Sequence, residues 1–435
     1  MKNKIFNNAA WIIIMQGIKA MLTLVVSMVS TRFLGPANYG IINYAVSIVS
    51  FVAPIMYLGY NNVLVRELVK YPEKEGETLG SAIISSVVSG FVCIGMVVAF
   101  TSIVNANEKE TILVCSIYSI ILIFQGIDLI LYWFQAKLIS KYSSIASLCA
   151  YIVVAIYKIS ILVLSKNIYW FAISNAIEYM IVSLVLLVIY IKLGGQRLKF
   201  SFIRMKEMLY SSKFYIIATM MVSVSTYIGR IMLKLLIDDT QNGFFSAAVN
   251  CASMLTFVYV AVIDSFRPEI IKHKDENRKK YLDLCKTMYS LIIYSSAIQS
   301  LIFCVFATLI VKIVCGASYS DSIILLQIVV WYMPFSCVSA ARNVWILAEG
   351  KEKYLSIVNL ISAIVNVALN YALIMAFGTL GAALATVLSN AIVTVVISYV
   401  LKPLRENFFI MVKALDPRII ITLLKSVLSN KKIEG

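Results

Sequence analysis

The sequence is poor in the side chains that most enzymes use. It has one histidine, His273, and only 14% charged residues, with 22 acidic side chains against 38 basic ones. His273 lies in the charged run Lys272-His273-Lys274-Asp275-Glu276, which reads as a solvated loop and leaves zinc or serine-histidine chemistry little to work with. The eight cysteines (Cys93, Cys115, Cys149, Cys251, Cys285, Cys304, Cys315, Cys337) include no CxxC pair and no neighbouring histidine, so they read as small core residues and no metal site is expected. Soluble proteins are about 45–50% apolar and roughly 25% charged. This chain is 61% hydrophobic with a mean hydropathy of +0.89, so it is expected in a membrane and has no room for a large soluble catalytic domain.

A helical span needs about 20 apolar residues. Apolar runs between charged or Gly/Pro/Asn clusters predict spans near 9–33, 41–65, 81–104, 111–135, 145–165, 169–191, 213–236, 243–266, 288–315, 322–347, 354–376 and 380–400. The first run lacks a small-residue cleavage site and is expected to be an uncleaved span. With the N-terminus in the cytoplasm, 29 of the 38 basic residues fall on the cytoplasmic side and only Lys109 and Lys166 on the other. The formal charge of +16 thus reads as topology and not as nucleic-acid binding, with both termini cytoplasmic. The expected organisation is a six-helix lobe over 1–195, an amphipathic linker over 196–212, a second six-helix lobe over 213–401 and a basic tail over 402–435. Arg197–Lys206 and the stretch from Pro417 to Lys425 are expected to lie as amphipathic anchors on anionic membrane lipids.

The halves echo each other. Phe33-Leu-Gly-Pro-Ala-Asn-Tyr-Gly40 joins spans one and two, and Leu236-Ile-Asp-Asp-Thr-Gln-Asn-Gly243 joins spans seven and eight. Six spans per half makes the repeats parallel, with a ligand cleft expected between them. The fold class is therefore an all-α integral membrane protein of about twelve helices in two lobes around a central cavity.

Seven basic residues remain inside or at the ends of spans: Lys19, Arg32, Lys158, Arg230, Lys234, Lys312 and Arg342. Charge within a span costs about 2.5–3.5 kcal/mol on insertion scales and usually marks function. At 100° per residue, Gln16, Lys19, Thr23, Ser27 and Ser30 share one face of the first span, and Asn43, Ser47, Ser50, Pro54, Tyr57 and Asn61 one face of the second. Ser147, Tyr151, Lys158 and Ser165 align on the fifth, Ser223, Thr226, Tyr227, Arg230 and Lys234 on the seventh, and Ser356, Asn359, Ser362, Asn366 and Asn370 on the eleventh. Lys19, Lys158, Arg230 and Lys234 are the expected cavity cations, with Gln16, Thr23, Asn43, Tyr57, Asn61, Tyr227, Asn359 and Asn366 as polar lining. Arg32, Lys312 and Arg342 sit near span ends, where snorkelling competes with a binding role, and the asparagines of span eleven also fit packing between helices. Among the acids, Asp264 reads as interfacial, whereas Asp128 and Glu178 would pair with the buried cations or bind a coupling H+ or Na+. A cavity richer in cations than anions suits an anionic, polar cargo, such as a phosphorylated sugar head.

Several segments resemble the bacterial polysaccharide repeat-unit flippases, the exporters of lipid-linked O-antigen and capsule units, within the superfamily that also holds multidrug extruders and the lipid II flippase. Arg32-Phe-Leu-Gly-Pro-Ala-Asn-Tyr-Gly40 looks like the family's R-x-L-G-P-x-x-Y-G. Leu58-Gly-Tyr-Asn-Asn-Val-Leu-Val-Arg-Glu67 resembles its second-span ending, and Trp133-Phe-Gln-Ala-Lys137 its W-F-Q-G. Gly229-Arg-Ile-Met-Leu233 followed by Gly243-Phe-Phe-Ser-Ala-Ala248 resembles D-R-I-M-L and G-x-Y-S-A-A. The closing signature is Leu347-Ala-Glu-Gly-Lys351, Asn366-Val-Ala-Leu-Asn370 and Phe377-Gly-Thr-Leu-Gly-Ala-Ala-Leu-Ala-Thr386. The resemblance implies alternating access in a bacterial inner membrane, an undecaprenyl-diphosphate-linked oligosaccharide as cargo, and glycan polymerase machinery as a downstream partner. Gly229 stands where the family often has aspartate, which leaves Arg230 more available to phosphate. A cation-driven drug extruder would call for an acid on the first span, where this chain has Lys19. A glycan polymerase or ligase would need external catalytic side chains, and the short external loops hold only Glu108, Glu110, Asp238, Asp239 and Asp321.

Overall fold

In hydrocarbon every backbone N–H and C=O must bond within its own segment, and the long apolar runs of this chain accordingly fold as helices. The computed structural model describes the backbone of residues 2–164 and 167–420, and side chains within those stretches from Met15 onward except Gln16. The elements are α1 (Lys2–Met56), α2 (Leu64–Lys70), α3 (Glu75–Val104), α4 (Lys109–Ser119), α5 (Ile121–Ile127), α6 (Leu131–Ala136), α7 (Ser140–Val163), α8 (Ile168–Lys192) and α9 (Phe202–Leu236). They continue with α10 (Asp239–Ala252), α11 (Thr256–Glu276), α12 (Arg278–Val305), α13 (Ala307–Val314), α14 (Ser322–Val329), α15 (Tyr332–Ala348), α16 (Lys353–Ala391), α17 (Ile397–Val400) and α18 (Arg405–Lys413). Among the described residues there is no strand.

Among the described residues, eight segments are long and apolar enough to cross a membrane, and the bent pairs α10 with α11 (42°) and α14 with α15 (41°) bring the number to ten. Two of the eight contain a break. Gly35 has φ 72° within α1, and Gly378 has φ 59° within α16, a backbone region that glycine adopts without steric cost. Pro36 follows the first break, where its fixed φ and missing N–H suit the start of a new helix. Dividing α1 and α16 at these glycines gives twelve segments, consistent with the twelve spans expected.

Contacts group the described chain into two compact units, one holding residues up to 246 with 314–318 and the other 247–313 with 319 onward. In the first unit α1 packs against α4, α7 and α9, α7 against α8, and α3 against α5. The seventh span, α9, thus sits with the first six. In the second unit α12 packs on α11, α15 and α18, and α15 on α16.

The two echoing elbows meet reciprocally within the first unit. A Cβ on Gly40 would lie 1.8 Å from the Asp239 carbonyl oxygen, and one on Gly243 would lie 2.0 Å from that of Pro36. The Asn242 side-chain amide donates to the Gly40 carbonyl at 2.9 Å.

The linker is only partly helical and packs on α3. Residues 195–201 are not helical, and the chain becomes α9 only at Phe202. Lys199 N–H donates to the Gly76 carbonyl at 3.2 Å, Gly76 N–H to the Gln196 side chain at 3.1 Å, and Ser201 N–H to Ser81 Oγ at 2.8 Å. Arg204 is buried, donating to Glu207 at 2.7 Å and Thr78 at 3.1 Å. Polar groups in the first turns of α3 hold this segment, and periodicity carries no information about such partners. Gly76 and Gly80 make the contact possible, since a Cβ on either would come within 2.5 Å of a linker carbonyl. Gly80→Val is expected to cost about 1–3 kcal/mol by overpacking and to lower the melting temperature of the detergent-solubilised protein. Gly95→Val, with nothing within 4 Å of its Cβ, should leave it unchanged.

Two other expectations are corrected. His273 is not a solvated loop residue: it is 6% exposed on α11, with Glu269 and Glu276 each 3.9 Å from Nδ1. Cys149 is exposed, Cys304 half-buried and the other six cysteines buried. Asp264 is half-buried and pairs with Arg267 at 3.0 Å. The expected tail anchor extends past residue 420, outside the described residues.

Candidate functional site

Serines recur along α7 at Ser140, Ser143, Ser144 and Ser147, spacings that put them on one helix face. With Lys19 from α1, Gln135 from α6 and Asp128 they line a cavity of about 150 Å³ in the first unit. Asp128 opens a short 3-10 turn, Asp128–Ile130, between α5 and α6. Just before this turn α5 lies close against α3, where a Cβ on Gly126 would stand 3.1 Å from the Val87 nitrogen.

Lys19 Nζ donates to Glu178 Oε1 at 2.7 Å and to Ser147 Oγ at 3.1 Å, and lies 5.3 Å from the centre of the Tyr151 ring. The Lys19 side chain is a third exposed, whereas the Glu178 side chain is 11% exposed. Asp128 Oδ1 is buried with no hydrogen-bond partner. The cavity therefore carries its own counter-charges, and a net positive surface does not follow from Lys19.

Lys158 is buried and does not line this cavity. Its Nζ donates to Asn175 Oδ1 at 2.6 Å, and Asn175 Nδ2 donates to the Tyr118 hydroxyl at 2.8 Å. This chain joins α7, α8 and α4. Lys234 is 5% exposed and clamped by Glu108 and Asp239, each at 2.6 Å, so its charge is matched in place. Arg230, four residues earlier, is half-buried. Arg32 and Lys312 are exposed. Arg342 is 2% exposed and donates to the Val393 carbonyl, Ser398 Oγ and Ser339 Oγ at 2.9, 2.9 and 2.7 Å. It fastens the second unit and does not snorkel, because the polar groups of the next helix lie within its reach.

The polar lining expected from phase disperses. Asn43 is buried and donates to the Tyr39 carbonyl of its own helix at 2.8 Å, and Thr23 donates to the Lys19 carbonyl at 2.8 Å. Asn61 accepts from Asn62 at 2.9 Å. Tyr57, Tyr227 and Asn359 are half-buried, and the Gln16 side chain lies outside the described residues. Asn366 is packing material: its amide donates to Ser389 Oγ at 2.9 Å, and Asn370 donates to its side-chain oxygen at 2.8 Å. The bond to Ser389 crosses the Gly378 break and staples the two halves of α16. Sequence reasoning missed Gln135, Ser140, Ser143, Ser144 and Asn175. The serine ladder was legible, but the fifth span was drawn from residue 145, which left most of it in a loop. Among the described residues, no group of three or more His, Cys, Asp or Glu side chains is arranged to hold a metal.

A putative O-antigen transporter of Escherichia coli (strain K12) is 20% identical over 396 residues, covering 89% of this chain and 94% of that protein. An inward-facing multidrug resistance MATE family transporter of the MOP superfamily superposes with a TM-score of 0.67 at 11% identity, covering 91% of this chain and 96% of the other. The lipid II flippase MurJ in an inward closed conformation superposes with a TM-score of 0.67 at 16% identity, covering 94% and 92%. The family described as polysaccharide biosynthesis protein matches residues 5–268, more than half of the chain. With several apolar helices on a fold shared with MATE transporters and MurJ, this multi-pass membrane protein belongs to the polysaccharide biosynthesis protein family.

Proposed function

We propose that the chain is an alternating-access flippase. It moves undecaprenyl-diphosphate-linked oligosaccharide repeat units from the cytoplasmic to the outer leaflet of a bacterial inner membrane, and both its termini are cytoplasmic. It makes no bond in the cargo; the glycan polymerase machinery acts afterwards. Membership of a polysaccharide biosynthesis family and likeness to a putative O-antigen transporter support this reading. The observation that carries it is Lys19, an ammonium on α1 facing a serine-lined cavity. Arg and Lys bond phosphate oxygens strongly, and hydroxyl and amide groups suit sugars. The polyprenyl tail stays in lipid, which spares the charged head a passage through about 30 Å of hydrocarbon.

Because Lys19 is already bonded to Glu178, head binding is an exchange in which phosphate takes over the ammonium from the carboxylate. Arg230, half-buried on α9, is the second cation in this scheme. Asp128 and Glu178 are the acids through which an H+ or Na+ gradient would couple. A drug-extruding role has no acid on α1 to work with, since that helix carries Lys19. Lys19→Ala and Arg230→Ala are each expected to cut export of surface glycan by at least tenfold at normal protein levels. Export at the parental rate in both single variants and the double variant would remove the basis for this assignment.

A further inference from the structure

The second unit carries a groove that the transport reading does not use. Ile392–Val396 is a turn of π-helix, closed by Ile397 N–H donating to the Ile392 carbonyl, and such turns bulge a helix by one residue and often mark functional sites. Two side-chain bonds meet the turn: the Arg342 guanidinium donates to the Val393 carbonyl at 2.9 Å, and Thr394 Oγ1 donates to the Phe335 carbonyl at 3.0 Å. Beside the bulge Ile293, Pro334, Phe335, Val395, Phe408 and Met411 line a groove of about 270 Å³ with apolar walls.

Val412 lies on the rim of this groove and also borders a wider opening of about 640 Å³ that holds Lys286, Lys413, Arg418, Asp283 and Asp416. Lys286 pairs with Asp283 at 3.0 Å. The opening thus has three cations and two acids, a surplus of one positive charge. Its shape is held by α18, pinned where Asn407 donates to the Tyr289 hydroxyl at 2.7 Å and where Phe408 meets Tyr399 edge-on at 5.2 Å. An apolar groove on a membrane-spanning unit draws in hydrocarbon because water there has no polar partners. Basic side chains at the end of a span attract anionic lipid heads.

We infer that this composite surface binds one anionic phospholipid, with its phosphodiester at Lys413 and Arg418 and one acyl chain in the groove beside the π-turn. A surplus of one cation matches the single charge of a phosphodiester. A diphosphate-linked carrier would bring more negative charge than the rim balances, which makes the occupant a membrane lipid and not cargo. The inference stands whether or not Lys19 handles cargo.

The test is native mass spectrometry of the full chain released from detergent with phosphatidylglycerol, phosphatidylethanolamine or undecaprenyl diphosphate. Phosphatidylglycerol is expected to be retained about tenfold better than phosphatidylethanolamine, with the double variant Lys413→Glu/Arg418→Glu abolishing that preference. Val395→Trp places bulk in the groove from a residue that is 41% exposed. It should weaken retention of both phospholipids while the melting temperature holds. Equal retention of the two phospholipids by the parent, or indifference to charge reversal, would overturn the inference. So would tighter retention of undecaprenyl diphosphate, which would make the groove a cargo site. Gain of phospholipid binding on truncation after Ile420 would do the same, by identifying the chain's own tail as the occupant.

Discussion

Gly40→Val and Gly243→Val are each expected to leave little folded protein in the membrane. A Cβ at either position would fall within 2.0 Å of a main-chain oxygen on the opposite elbow. Rotating a side chain cannot relieve a clash with backbone, so the elbows would have to part and give up the Asn242 bond to Gly40. Overpacking costs about 1–3 kcal/mol and more when backbone must move, a large share of the roughly 5–15 kcal/mol that keeps a domain folded. The check is the yield and melting temperature of solubilised protein beside Gly95→Val. Parental stability in Gly40→Val would mean that the elbows are not in contact.

Lys234→Ala carries the second large effect. Removing one member of a buried ion pair costs about 3–5 kcal/mol. Here the Glu108 side chain is 44% exposed and Asp239 21%, so water screens the orphaned acids and about 2 kcal/mol is the expected loss. The double variant Lys234→Ala/Asp239→Ala should recover part of it in a double-mutant cycle. The role of a cargo cation predicts the opposite pattern, with stability unchanged and export lost. Glu108 adds a pH signature. Burial pushes its carboxyl up, but hydrogen bonds and charge from Lys234 outweigh this and hold it below its ordinary value of 4.5. A lowered folded value means that its contribution is present above pH 4.5 and fades as pH falls through the folded value. The melting temperature of Glu108→Gln should therefore converge on that of the parent in acid.

The span boundaries were legible because the breaks are chemical. Residues between spans one and two contain Gly35 and Pro36, and the gap between spans eleven and twelve contains Gly378, the two places where the long helices leave helical geometry. The candidate site was half legible. Helical phase put Lys19 on a polar face, and Glu178 was marked as a possible partner. Phase could not tell Lys19, which reaches a cavity, from Asn43 and Asn366, which satisfy neighbouring polar groups inside the helices. Arg204, read as part of a surface anchor, lies buried against α3 because the linker pairs with that helix.

The sequence by itself determined that this is a helical membrane protein, where its two long helices break at glycine, and which faces of its spans are polar. Hydrocarbon admits helices that bond internally, and a rotation of 100° per residue turns spacing into direction. Only the tertiary structure decided which charges cancel. Glu178 is 159 residues from Lys19, and Lys234 meets Glu108 from another helix. Direction on one helix does not name the group opposite, whereas the energy of an ion pair depends on the distance to it.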